Sequence, residues 1–321
     1  MLVEMAIADA YGAGFEYTKP SFMATNHTMD GYVQHPTHLT LLPGQYTDDT
    51  QMALALAELM LREGKNGKPH HPTTWTPIQV AHAFVSTFTR DKRDGYARGF
   101  QKVLEDCSES DVGVMAAHFL ATIRPHSEKN GAAMRAGPIG LLPNTDHVIN
   151  VAMFQASLTH ATRIGMSAAA ASALMVHYFH HRLGPKGHLG FYLDNLVPGY
   201  QWGAGWSATV NAYGFSAVRA AVAAILESDT LSEVLKRCVD FGGDTDTTAA
   251  IAVCAASRCE EIAQFLPSQL VNDLEDSAYG HEYLSEIDAQ LFDAYPSPEA
   301  GDLEKGGDFD NDLDDLLDAL T

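Results

Sequence analysis

The sequence predicts an all-α fold, and three observations predict it. Apolar residues recur every three or four positions through most of the chain, which is the spacing of one face of an α-helix. Runs that alternate apolar and polar residues, as half-buried strands do, are scarce. No repeat and no Pro- or Ser-rich linker interrupts residues 1–295, so we expect one compact helical domain over residues 1–298.

Eight segments carry the helical spacing most clearly. Helix-ending signals follow two of them, at Gly64 and at Gly184-Pro185. The predicted helices are 51–62, 78–89, 112–123, 146–158, 166–181, 216–226, 231–238 and 247–259.

The composition changes after Pro298. Residues 299–321 contain nine acidic residues and one basic residue, and we interpret them as an acidic C-terminal tail outside the folded domain. The apolar residues of this tail fall on one face of a short helix, and they are Phe309, Leu313, Leu316, Leu317 and Leu320. The tail is therefore either a solvated segment or an amphipathic motif that binds a protein partner.

The overall charge excludes two classes of partner. The formal net charge of −21 repels phosphate backbones and anionic headgroups, so we expect no direct nucleic-acid binding and no membrane association. The longest stretch of low charge, residues 164–179, runs into His180, which favours a buried helix over a membrane span. The four cysteines form no CxxC pair, as is usual for buried thiols in a reducing compartment. We therefore expect a cytoplasmic protein, and a monomer.

A first acidic cluster stands just before an apolar helix, at Thr47, Asp48, Asp49 and Thr50. Helix capping explains a threonine and one aspartate, because they accept hydrogen bonds from the free N–H groups of the first turn. Two adjacent carboxylates flanked by threonines exceed what a cap requires, and neighbouring anions repel. A hard cation would relieve that repulsion, since it prefers carboxylate and hydroxyl oxygens as ligands.

A second acidic cluster has the same character. Gly242 and Gly243 permit a sharp turn, and Asp244, Asp246 and Thr247 follow at the start of another apolar helix. Together the clusters supply four carboxylates and two hydroxyls without histidine or cysteine, which favours Mg²⁺ or Mn²⁺ over Zn²⁺. This supply suits two ions bridged by water, about 3.5–4 Å apart.

Two other patterns compete with this interpretation. Residues 244–248 also resemble the nucleophile loop of haloacid-dehalogenase-type phosphatases, but that loop follows a buried strand, and residues 231–240 have the spacing of an amphipathic helix. We therefore rank a phosphatase below a metal site. His177, His180 and His181 lie close together on one predicted helix, and we expect them to cap a helix end or contact water rather than to bind a metal.

Five short motifs occur in one order across roughly residues 5–295. They are Ala8-Asp9-Ala10-Tyr11-Gly12 with Phe15-Glu16, Thr47-Asp48-Asp49-Thr50, Asn130-Gly131-Ala132-Ala133-Met134-Arg135, Ser157-Leu158-Thr159-His160, and Gly242-Gly243-Asp244-Thr245-Asp246-Thr247. This order resembles the ADP-ribosylglycohydrolase family, which includes the dinitrogenase reductase-activating glycohydrolases and the ADP-ribosyl-serine and -arginine hydrolases. The resemblance implies an orthogonal helical bundle. The first motif departs from the usual Gly-Asp-Ala, so we expect different packing around that helix.

The resemblance also implies the roles of individual residues. The implied ligands of two Mg²⁺ or Mn²⁺ ions are Thr47, Asp48, Asp49, Asp244, Asp246 and Thr247. The residues implied to contact the distal ribose and the diphosphate are Asn130, Gly131, Met134 and His160. The N–H groups of the Asn130-Gly131 turn are the expected diphosphate donors. The candidates for an aromatic residue near the adenine are Tyr213, Trp202 and Trp206.

Glu16, Asp94 and Asp49 are the candidate catalytic residues. The resemblance implies that Glu16 lies beside the metals, and that Asp94 stands where arginine-directed bacterial members carry an aspartate next to the scissile bond. Glu16 or Asp94 is therefore the candidate proton donor or water-orienting base. If Asp94 faces the leaving group, it can pair with a guanidinium, which favours ADP-ribosyl-arginine.

The implied function is metal-dependent hydrolysis that releases ADP-ribose from an ADP-ribosylated protein or a small ADP-ribose conjugate. The bond would break through an oxocarbenium-like transition state. Arginine on a protein is the expected acceptor, and a serine or O-acetyl linkage is the alternative. A catalytically silent ADP-ribose-binding module is a further alternative, although all six implied metal ligands are present.

Overall fold

The computed structural model describes residues 1–62, 71–111 and 113–298. Within these ranges the chain forms fourteen α-helices, four short 3₁₀-helices and four isolated β-bridges, with no β-sheet. The prediction of an all-α fold is confirmed. The α-helices are α1 (Leu2–Ala13), α2 (Pro20–Asn26), α3 (Asp48–Leu61), α4 (Pro77–Arg90), α5 (Arg98–Ser108), α6 (Met115–Thr122), α7 (Thr145–Ser157), α8 (Arg163–His180), α9 (Leu189–Leu196), α10 (Gly214–Leu226), α11 (Leu231–Asp240), α12 (Thr245–Ala256), α13 (Ser268–Asn272) and α14 (His281–Ala294).

Each of the eight predicted segments overlaps one of these helices, and the bounds differ by a few residues. Helix α3 begins at Asp48, because Thr47 caps it and the two aspartates form its first turn. Helix α6 begins at Met115, whereas the predicted start, Val112, lies outside the described residues, as does Gly64.

Four of the six helices that were not predicted escape the spacing pattern for identifiable reasons. Helix α1 is buried on nearly every side, so its apolar residues form no stripe. Helices α2 and α13 have only 7 and 5 residues, which is too short to establish a period. Helix α5 buries only Leu104 and Cys107, and its other residues are half-buried or exposed.

The centre of the fold is helix α12, whose residues are all buried. It packs against α1, α8, α10 and α11. Gly12 permits the close approach of α1, because a Cβ at this position would lie only 2.6 Å from the Cα of Asp246. The packing thus brings the first turn of α12 against the C-terminal half of α1, where the acidic clusters meet.

Two predictions depend on the ends and surface of the chain. The predicted acidic tail, residues 299–321, lies outside the described residues, so the proposed domain boundary stays a prediction. In the part of the chain that the structure describes, no helix has the length and apolar character needed to cross a membrane.

Candidate active site

The two acidic clusters face one cavity of about 760 Å³. The first turn of α3 supplies Asp48 and Asp49, and the start of α12 supplies Asp244, Asp246 and Thr247. Glu16, which lies beyond the C-terminal end of α1, lines the same end of the cavity. Three helix ends that are distant in sequence therefore place five carboxylates around one space.

Three of these carboxylates form a compact group. Ligand oxygens of Glu16, Asp244 and Asp246 all lie within 4.8 Å of one another. Burial, with the nearby Asp244 carboxylate, raises the pKa of Glu16 to about 7. Burial also raises the pKa of Asp246 well above its ordinary value, and the neighbouring Glu16 adds to this shift. The shifts follow because the ionised forms of these carboxyl groups repel one another in a poorly solvated site.

The aspartates of α3 have the same character. Burial raises the pKa values of Asp48 and Asp49 well above the ordinary value, and the buried Asp9 carboxylate adds to both shifts. The Oδ1 atom of Asp49 is buried and has no hydrogen-bond partner among the described residues. A buried oxygen without a partner is costly unless something binds it. The unpartnered oxygen and the all-oxygen donor set both fit a hard divalent cation such as Mg²⁺ or Mn²⁺.

Asp9 is a supporting residue whose role was not predicted. It is fully buried, and it accepts hydrogen bonds from the backbone N–H groups of Thr47 and Thr50 at 3.0 Å. It also accepts from the hydroxyls of Thr47 at 2.8 Å and Thr50 at 2.7 Å. These bonds fix the start of α3 on α1. The sequence signal was an acidic residue inside an otherwise apolar segment.

The side chain of Thr47 points toward Asp9. Its hydroxyl donates to Asp9, lies 3.3 Å from Oδ2 of Asp49, and is not among the groups that line the cavity. The expected role of Thr47 as a metal ligand stays a prediction. Thr247 does line the cavity, next to Asp246.

The loop of residues 91–97 closes over the side of Asp48. The backbone N–H of Asp48 donates to the carbonyl of Asp94 at 3.2 Å. Gly95 has φ of +108°, and a Cβ at this position would overlap the Asp48 carboxylate. Arg93 holds the loop in place, because it pairs with Asp91 at 2.7 Å and its guanidinium lies 3.8 Å from the centroid of the Tyr46 ring.

The structure does not bring the Asp94 carboxylate to the large cavity. Its exposed side chain lines a separate cavity of about 360 Å³, together with Asp91 and Arg93. The turn at Gly95 explains this placement, because it directs the backbone of the loop, and not the Asp94 side chain, toward Asp48. The catalytic role of Asp94 therefore stays a prediction to which the geometry adds no support.

The residues expected to bind substrate lie mostly on the cavity wall. Asn130, Gly131, Met134 and His160 all line it. The Asn130 side-chain amide donates to Oδ2 of Asp244 at 3.1 Å, which joins this wall to the acidic end. Its backbone N–H donates to the carbonyl of Ala212 at 3.0 Å, so this N–H is not free to bind a diphosphate as expected.

The aromatic candidates for the adenine lie elsewhere. Tyr213 is 46% exposed and is not among the lining residues, although its neighbour Ala212 is. Trp202 is fully buried and donates from Nε1 to the carbonyl of Val197 at 2.7 Å, so it fills the core. Trp206 does not line the cavity either. The aromatic residues that do line it are Tyr17 and Phe100, and neither was predicted.

The remaining lining residues have a different composition. Phe100 and Val103 of α5 and Ile123 after α6 are apolar, and Arg124 and Lys129 add two cations. The cavity lining thus combines an acidic cluster with apolar residues and positive charge. Such a combination suits a ligand with an anionic centre and an apolar end.

His177, His180 and His181 lie buried at the C-terminal end of α8. All three are buried, and each has a ring nitrogen within hydrogen-bond distance of a backbone carbonyl oxygen. Burial lowers the pKa of His177 to about 4 and that of His180 to about 3, and neighbouring positive groups contribute. The neutral imidazoles therefore pack in the core and form internal hydrogen bonds.

Known proteins share both the sequence and the fold. The sequence profile of the ADP-ribosylglycohydrolase family matches residues 1–301. The chain is 25% identical over 309 residues to the ADP-ribosyl-[dinitrogen reductase] glycohydrolase of Rhodospirillum rubrum, over 89% of this chain and 92% of that protein. It is 31% identical over 137 residues to the ADP-ribosylhydrolase ARH3 of Homo sapiens, over 41% of this chain and 34% of that protein.

A solved structure described as an ADP-ribosylglycohydrolase-related protein complex has the same fold. It superposes with a TM-score of 0.66 at 21% identity, covering 92% of this chain and 95% of that chain. The resemblance drawn from the five motifs and the expectation of an ADP-ribosyl glycohydrolase enzyme are confirmed. The chain belongs to the ADP-ribosylglycohydrolase family.

Proposed function

We propose that this protein is a hydrolase that requires divalent metal ions and releases ADP-ribose from an ADP-ribosylated protein. The observation that carries the proposal is the convergence of five carboxylates at one end of a cavity that is large enough for a nucleotide-sized ligand. A protein substrate is favoured over a small conjugate, because the relative that matches most of the chain is named for a modified protein.

Two Mg²⁺ or Mn²⁺ ions are the proposed cofactors. The buried, unpartnered Oδ1 of Asp49 and the mutual repulsion of the carboxylates support them. When bound, such ions supply Lewis-acid polarisation of substrate oxygens and activation of water at neutral pH. The residues proposed to hold them are Thr47, Asp48, Asp49, Asp244, Asp246 and Thr247.

Glu16 is the proposed proton-transfer residue. It lines the acidic end of the cavity beside Asp244 and Asp246 and is not one of the proposed metal ligands, so its carboxyl group is available to exchange a proton with substrate or water. Cleavage of a glycosidic bond requires a proton for the leaving acceptor and removes one from the attacking water. Asp49 stays the second candidate, because it lines the same end of the cavity. Asp94 is not included, since its carboxylate lies on the smaller cavity.

The apolar and cationic part of the cavity lining is the proposed site for the rest of ADP-ribose. Arg124 and Lys129 can neutralise the diphosphate through charge-assisted hydrogen bonds. Phe100, Val103 and Ile123 offer an apolar surface for the adenine ring. This arrangement directs the distal ribose toward the acidic end.

Arginine is the proposed acceptor. Two divalent ions would neutralise the four aspartate ligands, which leaves Glu16 as the carboxylate of this end that can pair with a guanidinium. Serine and an acetyl ester offer no such pairing. We also propose that the protein is a cytoplasmic monomer. All four cysteines are buried free thiols, which agrees with a reducing compartment.

The test is release of free ADP-ribose, measured by chromatography, from arginine-linked, serine-linked and O-acetyl-linked substrates. The protein is first stripped with a chelator and then assayed with Mg²⁺ or Mn²⁺. We expect release that depends on the added cation and is fastest from the arginine linkage. Binding of ADP-ribose without release from any substrate would instead identify a silent binding module.

A matched pair of variants connects release to the site. Asp246→Asn removes a carboxylate of the acidic end and is expected to lower the rate by at least about a hundredfold. Asp30→Asn removes an exposed carboxylate and should leave the rate unchanged. Equal rates for the two variants would disprove the proposed site.

A further inference from the structure

A chain of hydrogen bonds links a buried arginine to the cavity wall. Arg135 is 1% exposed, and its Nη2 donates to the hydroxyl of Thr159 at 2.7 Å. The Thr159 hydroxyl in turn lies 2.7 Å from Nδ1 of His160. Nε of Arg135 donates to Oε1 of Gln155 at 2.6 Å, which fixes the guanidinium. The chain therefore runs from Arg135 through Thr159 to an imidazole that lines the cavity.

The direction of each bond follows from which groups can donate. A guanidinium has only donors, so the Thr159 oxygen must accept from Arg135. A hydroxyl has one proton, and among the described residues the only other partner of this hydroxyl is Nδ1 of His160. If Nδ1 carried a proton, the hydroxyl proton would be a buried donor without an acceptor, which is unfavourable. Nδ1 must therefore be the acceptor.

Nε2 of His160 has no hydrogen-bond partner among the described residues and is not among the buried unpartnered atoms, and both His160 and Gly131 line the cavity. A Cβ placed on Gly131 would lie 3.2 Å from Cε1 and 3.3 Å from Nε2 of His160, so the absence of a side chain at Gly131 leaves room beside this edge of the imidazole. Burial together with Arg135 lowers the pKa of His160 to about 3, so the ring is neutral and holds a single proton.

We propose that Arg135 and Thr159 are positioning residues that fix His160 as the tautomer with its proton on Nε2, so that His160 donates to an anionic oxygen of the ligand. If the proposed function holds, that oxygen belongs to the diphosphate of ADP-ribose, which has no proton to offer in return. His160 accordingly serves as a hydrogen-bond donor for binding and not as a general base.

His177 provides the opposite case within the same protein. Its Nδ1 lies 3.2 Å from the carbonyl oxygen of Gly140, which can only accept, and its Nε2 lies 3.1 Å from the hydroxyl of Thr145. The proton of His177 therefore belongs on Nδ1. Nitrogen-15 NMR of the ring nitrogens distinguishes the two tautomers, so His177 is an internal reference for His160.

The first test is this spectrum, recorded on the full chain at neutral pH and assigned with His160→Gln and His177→Gln. We expect the proton of His160 on Nε2 and that of His177 on Nδ1. Thr159→Val removes the hydroxyl, so His160 should become a mixture of tautomers, whereas Thr159→Ser should retain the Nε2 proton. A His160 proton on Nδ1 in the wild-type chain, or a spectrum that Thr159→Val leaves unchanged, would overturn the proposal.

The second test is calorimetric binding of ADP-ribose. Thr159→Val should weaken binding about tenfold, and Thr159→Ser should stay within about twofold of wild type. Equal affinity of all three proteins would overturn the assignment of His160 as the donor. If wild type binds no ADP-ribose, the proposed function and the assigned ligand both fail, while the NMR result still decides which tautomer the chain holds. The two failures are thus distinguishable.

Discussion

Gly95 lies against the carboxylate of Asp48 with φ of +108°, so closely that a Cβ would overlap the Oδ1 atom. Only glycine adopts this conformation without strain, and only glycine leaves the carboxylate in place. We therefore expect Gly95→Ala to displace Asp48 and to weaken Mn²⁺ binding about tenfold or more. Isothermal titration of the chelator-stripped protein with Mn²⁺ measures this effect.

Gly99 is the matched control for this substitution. It lines the same cavity on the first turn of α5, and nothing lies within 4 Å of a Cβ placed there. Gly99→Ala should therefore bind Mn²⁺ as wild type does. If Gly95→Ala also binds like wild type, then the loop of residues 91–97 does not position Asp48.

Asp9→Asn tests the support beneath α3. Both carboxylate oxygens of Asp9 accept from backbone N–H groups, which cannot reverse: Oδ1 accepts from Thr47 at 3.1 Å, and Oδ2 accepts from Thr47 and Thr50 at 3.0 Å. An amide NH₂ in either place would therefore face another donor. We expect the free energy of unfolding of Asp9→Asn, measured in urea, to be about 3 kcal/mol lower than that of wild type. Asp30→Asn, at an exposed carboxylate, should change it by less than about 0.5 kcal/mol. A stable Asp9→Asn variant would show that capping by Thr47 alone fixes α3.

Asp9 also illustrates what the sequence could and could not predict. The residues of the acidic clusters were identifiable because each cluster carries more carboxylates than a helix cap needs, immediately before an apolar run. The role of Asp9 depends on how α1 packs against α3, and spacing along the chain carries no information about that contact. The same limit applies to Arg135 and Phe100, whose place in the cavity depends on the packing of helices distant in sequence.

Local backbone geometry set a second limit. Asp94 precedes a glycine with positive φ, and this turn decides whether a side chain or a carbonyl reaches Asp48. The family resemblance places Asp94 near the site, but the direction of its carboxylate depends on the turn at Gly95 and not on the sequence motif. Trp202 was ambiguous for a different reason. A tryptophan in a Gly-rich segment can either contact a ligand or fill the core, and only the tertiary fold decides which of the two occurs.

Asp246→Asn should separate stability from cation binding. Burial and the nearby Glu16 raise the pKa of Asp246, so the ionised group is unfavourable in the metal-free fold. Asparagine removes that charge and still accepts from the N–H of Thr247, as Asp246 does at 2.9 Å. We expect the free energy of unfolding of the metal-free variant to be about 1 kcal/mol higher than that of the metal-free wild type.

The gain in thermal stability on addition of Mn²⁺ should be smaller in Asp246→Asn than in wild type. Wild type should gain thermal stability on addition of Mn²⁺, because a ligand that binds only the folded state stabilises it. The Asp246→Asn variant should gain little, and Asp30→Asn should respond as wild type does. A full Mn²⁺ response in Asp246→Asn would remove Asp246 from the proposed ligands.

His177 should make the fold sensitive to acid. Burial, with a smaller contribution from His181, lowers its pKa in the folded state to about 4, whereas the unfolded chain has a pKa near 6.5. Between these pH values the unfolded state binds more protons than the folded state. Stability therefore falls as the pH drops from about 6.5 towards 4, by a contribution on the order of 2–3 kcal/mol from this residue.

The comparison of wild type with His177→Gln isolates that contribution. Glutamine can still donate to the carbonyl of Gly140, but it does not titrate. Urea unfolding of the chelator-stripped proteins at pH 7.0 and pH 4.5 should show a smaller loss for the variant than for wild type. Because the acidic residues titrate equally in both proteins, their effects cancel in this difference. Parallel losses would mean that the His177 ring accepts a proton in the folded state as readily as in the unfolded chain.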